Sequence, residues 1–369
     1  MQYWMFGAGS DIPKSLALLK DLGFQAVVGN DPALIEEAGR LGLAVYLCSG
    51  AYSASAPFDG EEYLARDING NPQLWFGSTC PNQPDVRRHN LAWIAEMART
   101  EGIRGVFLDG ARFASPASSP AADAFYTCFC LVCEEKAEKL GFDFARMRAA
   151  VKVLYDNTPA QGLSLILDHL AGLTDWLAFR RVCTSEHLQN FAHTVKEVNP
   201  SLETGIFIFS PSLAPLVGQH YGDLRGHMDI FSPMIYRHYQ AQQGPACLNF
   251  ELSVLADELT KRLLPFERVL SLLHVLTGLD MTGFDDPVSI RENGFAPLAV
   301  ASETRKARQL IGDDGRLIPI IQLADDSLDE SMQQAAAGGA DGVNFFVYQD
   351  AVMASQQESL RKTIDQLLL

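Results

Sequence analysis

The sequence has few basic residues and no long apolar run. Lysine and arginine number 29 against 45 aspartate and glutamate residues, which gives a net charge of −16 at neutral pH. This balance does not provide the clustered basic side chains that bind nucleic acids or anionic membranes. No apolar stretch approaches the roughly 18 residues of a membrane span. We therefore expect neither a nucleic-acid partner nor a membrane partner.

Signals for export and for disulfide bonding are also missing. Residues 1–6 enter a strand-like run directly, without the basic region and cleavage site of a signal peptide. The seven cysteines are an odd number in a chain without an export signal, which indicates reduced thiols or a metal site rather than a disulfide framework. We expect a cytoplasmic protein, and a homo-oligomer is compatible with the sequence.

Short apolar runs typical of buried strands alternate with helical periods along the whole chain. Eight strands, each followed by a helix, predict the α/β class and a single (β/α)₈ TIM barrel over residues 1–369. The longest connection, 114–200 after the fourth strand, is predicted as an insertion that carries a cysteine-rich loop. An Asn-Gly pair predicts a hairpin turn at 67–71. The predicted strands are 3–6, 25–28, 44–48, 105–109, 204–209, 229–236, 317–323 and 342–348.

The fourth strand is the centre of the functional prediction. Its apolar run follows Gly105 and ends in Asp109, with Arg112 three residues further on. The carboxyl ends of the strands carry the chemistry in α/β barrels, so both side chains are expected in the active site. The alternative is that Asp109 only orders the loop through backbone amides, a common use of aspartate at strand ends.

Polar and aromatic residues at other strand ends are expected to meet Asp109 on the same rim. Two carboxylates from different strands, with hydroxyl and amide groups around them, are typical of glycosidic bond hydrolysis. We expect Asp109 and Asp325 as the catalytic carboxylates, with Asp326 as the alternative to Asp325, and Arg112 holding Asp109 ionised. The residues expected to bind substrate are Tyr52, Arg112, Tyr236, His238, Gln322 and Asp326.

Four cysteines have a spacing suited to a metal. Cys128, Cys130 and Cys133 lie within six residues at the start of a helix, and Cys80 is the candidate fourth ligand. A site with four thiolates leaves no open coordination position, so the expected cofactor is a structural zinc that fixes the insertion. No organic cofactor is expected. The alternative is that these cysteines are ordinary small apolar residues of a reduced protein.

The cysteine pattern closely resembles the zinc cluster of the family 42 β-galactosidases, in which one upstream cysteine joins a CxCxxC group. Three strand ends are similar to those of glycoside-hydrolase barrels of uncharacterised type. They are residues 108–113, 232–236 and 319–322. The resemblance, which runs from about residue 75 to 350, implies a barrel that hydrolyses glycosides. The galactosidases use glutamates after strands four and seven, whereas this chain offers Asp109 and then Asp325 or Asp326.

A second resemblance places Asp109 in a different role. Residues 109–112 are similar to the DGxRxD pattern of α-amylases, whose nucleophile position is Ala114 in this chain. That alignment would make Asp109 structural and the catalytic set incomplete.

These observations predict a glycoside hydrolase that cleaves an oligosaccharide or polysaccharide. A barrel that binds carbohydrate without cleaving it is the first alternative. A metabolic aldolase or isomerase ranks last, because no strand ends in a lysine suited to a Schiff base and no glycine-rich phosphate loop follows strand seven. The acidic rim predicts a neutral or cationic sugar as the carbohydrate partner.

Overall fold

Eight parallel strands close into a barrel, as the sequence predicts. The computed structural model describes residues 1–119, 121–161, 164–239 and 246–368. The strands are β1 (Gln2–Phe6), β2 (Ala26–Val28), β3 (Ala44–Gly50), β4 (Gly105–Asp109), β5 (Glu203–Phe209), β6 (Ile230–Met234), β7 (Ile320–Gln322) and β8 (Gly342–Phe346). The ring closes because β7 pairs with both β6 and β8, and β8 pairs with β1.

Helices follow the strands and surround the barrel. The helix Pro32–Leu41 shows how the local sequence starts a helix, since Asp31 accepts a hydrogen bond from the Ala33 amide and Pro32 occupies the first turn. The helices are α1 (Ile12–Asp21), α2 (Pro32–Leu41), α3 (Pro84–Met97), α4 (Leu131–Lys139), α5 (Phe144–Asp156), α6 (Ser164–Asp168), α7 (Leu170–Val198), α8 (Tyr221–Leu224), α9 (Leu248–Arg262), α10 (Phe266–Thr277), α11 (Pro287–Asn293), α12 (Leu298–Ile311), α13 (Leu328–Ala337) and α14 (Asp350–Leu368). Within the described ranges, no helix combines the length and apolar character needed to cross a bilayer.

Aromatic side chains fill the barrel interior. Trp4 stacks on Tyr46 with ring centroids 4.5 Å apart, and Phe107 stacks on Phe207 at 4.7 Å. Glycine at position 205 makes this possible, because a Cβ there would overlap the Phe107 ring. The filled interior leaves space for a ligand only at the ends of the strands.

The seventh strand is shorter than predicted. Instead of one strand over 317–323, Arg316–Leu317 pairs with β6 and β7 begins at Ile320. Pro319 lies in the gap and has no N–H to donate to a neighbouring strand. Its carbonyl still accepts a hydrogen bond from the Asn344 amide, so the chain remains attached to β8.

A second apolar core is formed by the β3–β4 connection together with the β4–β5 connection. Helices α4 to α7 occupy the β4–β5 connection, and Phe129, Trp176 and Phe179 pack there around the cysteines. The predicted hairpin is present, with Ala65–Arg66 antiparallel to Pro72–Gln73, and it joins this core because the Phe129 amide donates to the Arg66 carbonyl. That the whole chain forms one domain stays a prediction.

Candidate functional site

A cavity of about 210 Å³ opens at the carboxyl ends of β4 to β8. It brings together four of the predicted site residues: Asp109, Arg112, Tyr236 and Gln322. Strands β4, β5, β6, β7 and β8 each contribute a residue, so the barrel itself sets their positions. The described residues that line the cavity are Phe76, Asp109, Gly110, Arg112, Phe209, Met234, Tyr236, Tyr239, Ala246, Cys247, Gln322 and Phe346.

Asp109 is the last residue of β4, and its carboxylate is poorly solvated. Burial raises the pKa of Asp109, while the Gly110 amide, 2.7 Å from Oδ1, and the charge of Arg112 oppose this in part. Among the described residues, Arg112 forms no ion pair with Asp109. The charge of Arg112 lowers the pKa of Asp109, as the sequence predicts, but burial outweighs this effect and leaves the pKa above its usual value. That Arg112 holds Asp109 ionised stays a prediction.

Arg112 is buried, and its guanidinium contacts a backbone carbonyl, a serine hydroxyl and an aromatic ring rather than a carboxylate. Its Nη1 donates to the Phe113 carbonyl at 3.0 Å and to Ser118 Oγ at 3.3 Å, and its guanidinium lies 4.8 Å from the Phe209 ring centroid. Burial lowers the pKa of Arg112, while the charges of Glu251 and Asp109 act in the opposite direction. Arg112 thus forms a fixed positive wall of the cavity.

Glu251 is a fully buried carboxyl that sequence reasoning missed. It accepts hydrogen bonds from Ser115 Oγ at 2.7 Å, from the Ala117 amide at 2.9 Å and from the Ala246 amide at 3.0 Å. These contacts attach the loop after β4 to the segment that enters α9 and so position two walls of the cavity. In the sequence, Glu251 lies within a predicted helix, and nothing in that pattern indicates that its carboxyl holds the loop after β4.

Two predicted acidic residues lie outside the cavity. Asp325 is buried and accepts from Arg237 Nε at 3.0 Å and from Ser331 Oγ at 2.8 Å. Asp326 also pairs with Arg237 but leaves 59% of its side chain exposed. Partial burial raises the pKa of Asp326, but the hydrogen bond and charge of Arg237 outweigh this and lower it.

Two further predicted residues are not among those that line the cavity. His238 lies against α11, where its Nε2 is 3.0 Å from the Glu292 carbonyl oxygen, and its Nδ1 is 4.0 Å from Asp326. Tyr52 turns inward, with its ring centroid 5.0 Å from that of His187, and burial raises its pKa to about 12. The chain turns after β3, which directs Tyr52 into the core.

Aromatic rings give the cavity faces on which a sugar ring can stack. The Tyr236 and Phe346 centroids are 5.7 Å apart, and Tyr239 and Phe209 complete this wall. The side chains of Tyr236 and Gln322 make no hydrogen bond to another described residue, so their polar groups are available to a ligand. Phe76 was not predicted, since it comes from the hairpin connection rather than from a strand end.

The four predicted cysteine ligands form one compact cluster. Cys80 Sγ lies 3.5 Å from the sulfurs of Cys128 and Cys133 and 3.6 Å from that of Cys130. A tetrahedral zinc site with bonds of about 2.3 Å requires sulfur separations of about 3.8 Å, which these distances approach. The cluster can therefore hold a metal ion, and all four ligand atoms lie within 4.8 Å of one another.

Backbone and side-chain N–H groups point at the sulfurs. The amide of Asn82 lies 3.4 Å from Cys80 Sγ, its Nδ2 lies 3.3 Å from Cys133 Sγ, and the Arg66 amide lies 3.4 Å from Cys128 Sγ. Such donors stabilise thiolates, the form in which cysteine binds metals.

No family model and no curated protein matches the chain. The fold is shared with solved glycoside hydrolases. The PgaB glycoside hydrolase domain from Bordetella bronchiseptica superposes with a TM-score of 0.59 at 13% identity, covering 98% of each chain. A β-galactosidase from Marinomonas ef1 gives 0.63 at 13% identity, covering all of this chain and 60% of that one. A catalytic mutant of a GH42 β-galactosidase from G. stearothermophilus gives 0.56 at 12% identity, covering 98% of this chain and 56% of that one. At these identities the likeness concerns the fold alone.

Proposed function

We propose that the protein is a glycosidase that cleaves a bond within an oligosaccharide or polysaccharide at the Asp109 cavity. The observation that carries this proposal is a carboxyl with a raised pKa, Asp109, in an aromatic-walled cavity at the catalytic end of a barrel. The fold shared with glycoside hydrolases supports it.

Asp109 acts as the general acid in this proposal. Burial raises its pKa and so favours the protonated form, which can give a proton to the leaving oxygen of the glycosidic bond. After proton transfer, the nearby positive charge of Arg112 stabilises the carboxylate that forms. The Tyr236 hydroxyl and the Gln322 amide bind sugar hydroxyls.

Asp325 and Asp326 fit positioning roles in this proposal, because both lie outside the cavity and both pair with Arg237. Water is the second reactant: the leaving oxygen takes the proton of Asp109, and the anomeric carbon gains the hydroxyl group of the water. The second proton of the water returns to the Asp109 carboxylate.

We also propose that the cysteine cluster holds a structural zinc ion. Four thiolates would complete a tetrahedral shell and leave no position for substrate. The ion would fix the hairpin and the loop of residues 125–133, because the Arg66 amide of the hairpin points at Cys128 Sγ and the Phe129 amide of the loop donates to the Arg66 carbonyl.

A carbohydrate-binding barrel without turnover is the second candidate function. It is favoured by the fact that Asp109 is the one carboxylate among the described residues that line the cavity. The two functions differ in whether wild-type protein releases reducing ends from a glycan that it binds.

The first test is a glycan panel of neutral, N-deacetylated and uronic-acid oligosaccharides at fixed ionic strength. We expect hydrolysis of neutral or N-deacetylated oligosaccharides, because the net charge of −16 on the protein disfavours the approach of an anionic ligand. Binding without reducing-end release supports the second candidate function. Preferential binding of uronic acids, weakened by salt, would contradict the predicted charge of the ligand.

Phe76 offers a second test of the cavity. It is 69% exposed although it lines the cavity with Asp109, so Phe76→Ala should remove a stacking surface and raise KM roughly three- to tenfold with little change in kcat. Leu74→Ala is the matched control, because Leu74 is 57% exposed on the same connection and does not line the cavity. Equal effects of the two variants on KM would show that Phe76 does not contact substrate.

A further inference from the structure

A second, larger cavity lies beside the first. This groove of about 430 Å³ runs between the end of β3, the segment 51–58 and helix α3. Phe58, His89 and Trp93 form its aromatic side, and Ser53, Ser55 and Asn90 are among its polar lining residues. None of the residues that line the Asp109 cavity belongs to it. We call it the Trp93 groove.

The aromatic side of the groove is open to a ligand. Trp93 is 55% exposed, whereas the other three tryptophans of the chain are buried. The rings of Phe58 and His89 pack edge to face, 5.3 Å apart. The Trp93 indole N–H and the His89 imidazole make no hydrogen bond within the described part of the chain, so both can serve a ligand. A large apolar face with a free polar edge suits a sugar ring.

The polar side of the groove carries no formal charge. Among the described residues, no lysine, arginine, aspartate or glutamate lines it. Its hydroxyl groups come from serines, and Asn90 Nδ2 donates to the Gly50 carbonyl at 2.9 Å, which fixes the floor. A charged ligand would lose hydration there without gaining a partner, so the lining favours a neutral polyhydroxylated ligand.

One backbone segment separates the groove from the Asp109 cavity. Gly50, which lines the groove, pairs in register with Asp109, and the Ala51 amide donates to the Asp109 carbonyl at 2.9 Å. The Ala54 amide donates to the carbonyl of Gly77, the neighbour of Phe76, at 2.7 Å. Paired strands lie about 4.8 Å apart, so a residue that lines the groove and a residue that lines the Asp109 cavity are one strand spacing apart.

We propose that the Trp93 groove is a second carbohydrate subsite for neutral sugar units of the same chain that Asp109 cleaves. This inference rests on the proposed glycosidase function and specifies its substrate as a polymer or long oligosaccharide. Trp93 supplies the stacking face, and the groove binds units remote from the cleaved bond.

The test is the chain-length dependence of kcat/KM on neutral oligosaccharides. Trp93→Ala should lower kcat/KM roughly three- to tenfold for long chains and leave short chains unchanged, because only long chains reach both cavities. Trp93→Phe keeps a ring and should restore most of the loss. Leu298→Ala is the control, because it truncates a strongly exposed apolar residue on a different helix, α12. It should change kcat/KM for neither long nor short chains.

Tryptophan fluorescence provides a readout that does not need turnover. Trp93 is the only strongly exposed tryptophan, so long neutral oligosaccharides should change the emission of the wild-type protein and not that of Trp93→Phe. Unchanged long-chain kinetics in Trp93→Ala, or an equal loss for short and long chains, would overturn the subsite. Wild-type protein that shows the Trp93 signal but cleaves nothing would overturn the glycosidase function and leave the groove as a carbohydrate site. If the wild-type protein hydrolyses glycans but shows no Trp93 fluorescence change, and Trp93→Ala shows no loss of kcat/KM that depends on chain length, the subsite is overturned and the glycosidase function stands.

Discussion

Asp109→Asn is expected to lower kcat by a factor of about 10² to 10⁴ and to leave the melting temperature unchanged or slightly raised. The loss is the usual contribution of a general acid, because the amide cannot give a proton to the leaving oxygen. The stability follows from the direction of the pKa shift. A carboxyl whose pKa is raised by folding favours the folded state when protonated and disfavours it as the pH rises through the folded pKa. The neutral amide avoids that cost at neutral pH.

The pH profile gives the same assignment an independent test. If Asp109 is the acid, activity should fall on the alkaline side as the pH passes its raised pKa, and Asp109→Asn should remove this limb from any residual activity. Asp59→Asn is the control, because Asp59 is an exposed carboxylate in the β3–α3 connection that lines neither cavity. A variant at Asp109 that melts several degrees lower but keeps its activity would support the alternative that Asp109 only orders its loop.

The barrel was predictable because strands that are buried on both faces have a recognisable sequence pattern. Parallel strands inside a barrel are apolar along their length, and the run before Asp109 is of this kind. The position of Asp109 follows directly, since the last residue of a strand lies at the rim. Gln322 was expected at the rim near the end of the seventh strand; it is the last residue of β7 and lines the cavity, and its role in substrate binding stays a prediction.

The residues that follow the strands were harder to place. Asp325 and Asp326 are adjacent in sequence and both pair with Arg237, which lies 88 residues before Asp325, yet Asp325 is buried and Asp326 is exposed. Tyr52 was expected on the rim, yet β3 ends at Gly50 and the next turn sends this ring toward α7. Phe76 and Trp93 carry no local signal, because their use depends on how a connection folds back over the barrel.

The cysteine spacing, by contrast, predicted a contact between residues far apart in the sequence. Three cysteines within six residues need a fourth protein ligand from elsewhere to complete a closed structural site, and Cys80 was the candidate. The four sulfurs meet although Cys80 lies 48 residues before Cys128. The identity of the ion remains the proposal that a direct measurement tests.

Cys130→Ser is expected to remove the metal and to loosen the insertion. Wild-type protein prepared without chelator should contain about one zinc per chain by elemental analysis, and the variant should contain little, because the loss of one thiolate opens the tetrahedral shell. The melting temperature should fall by several degrees. Amide hydrogen exchange should rise in residues 65–73 and 125–133, where the Arg66 and Phe129 amides hold the hairpin against the cluster.

The same change should reach substrate binding through the connection that carries Phe76. The Cys80 amide donates to the Tyr63 carbonyl and Trp75 is buried in the core around the cluster, so loss of the ion should displace Phe76 and raise KM more than it lowers kcat. Cys183→Ser is the control, since Cys183 is buried in the same core but is not one of the four clustered ligands, and its metal content should stay at wild-type level. Wild-type protein without metal would contradict the zinc site. A metal-free variant that keeps its fold and KM but loses kcat would instead place the ion in the chemistry, because a purely structural ion acts on the cavity only through the position of its walls.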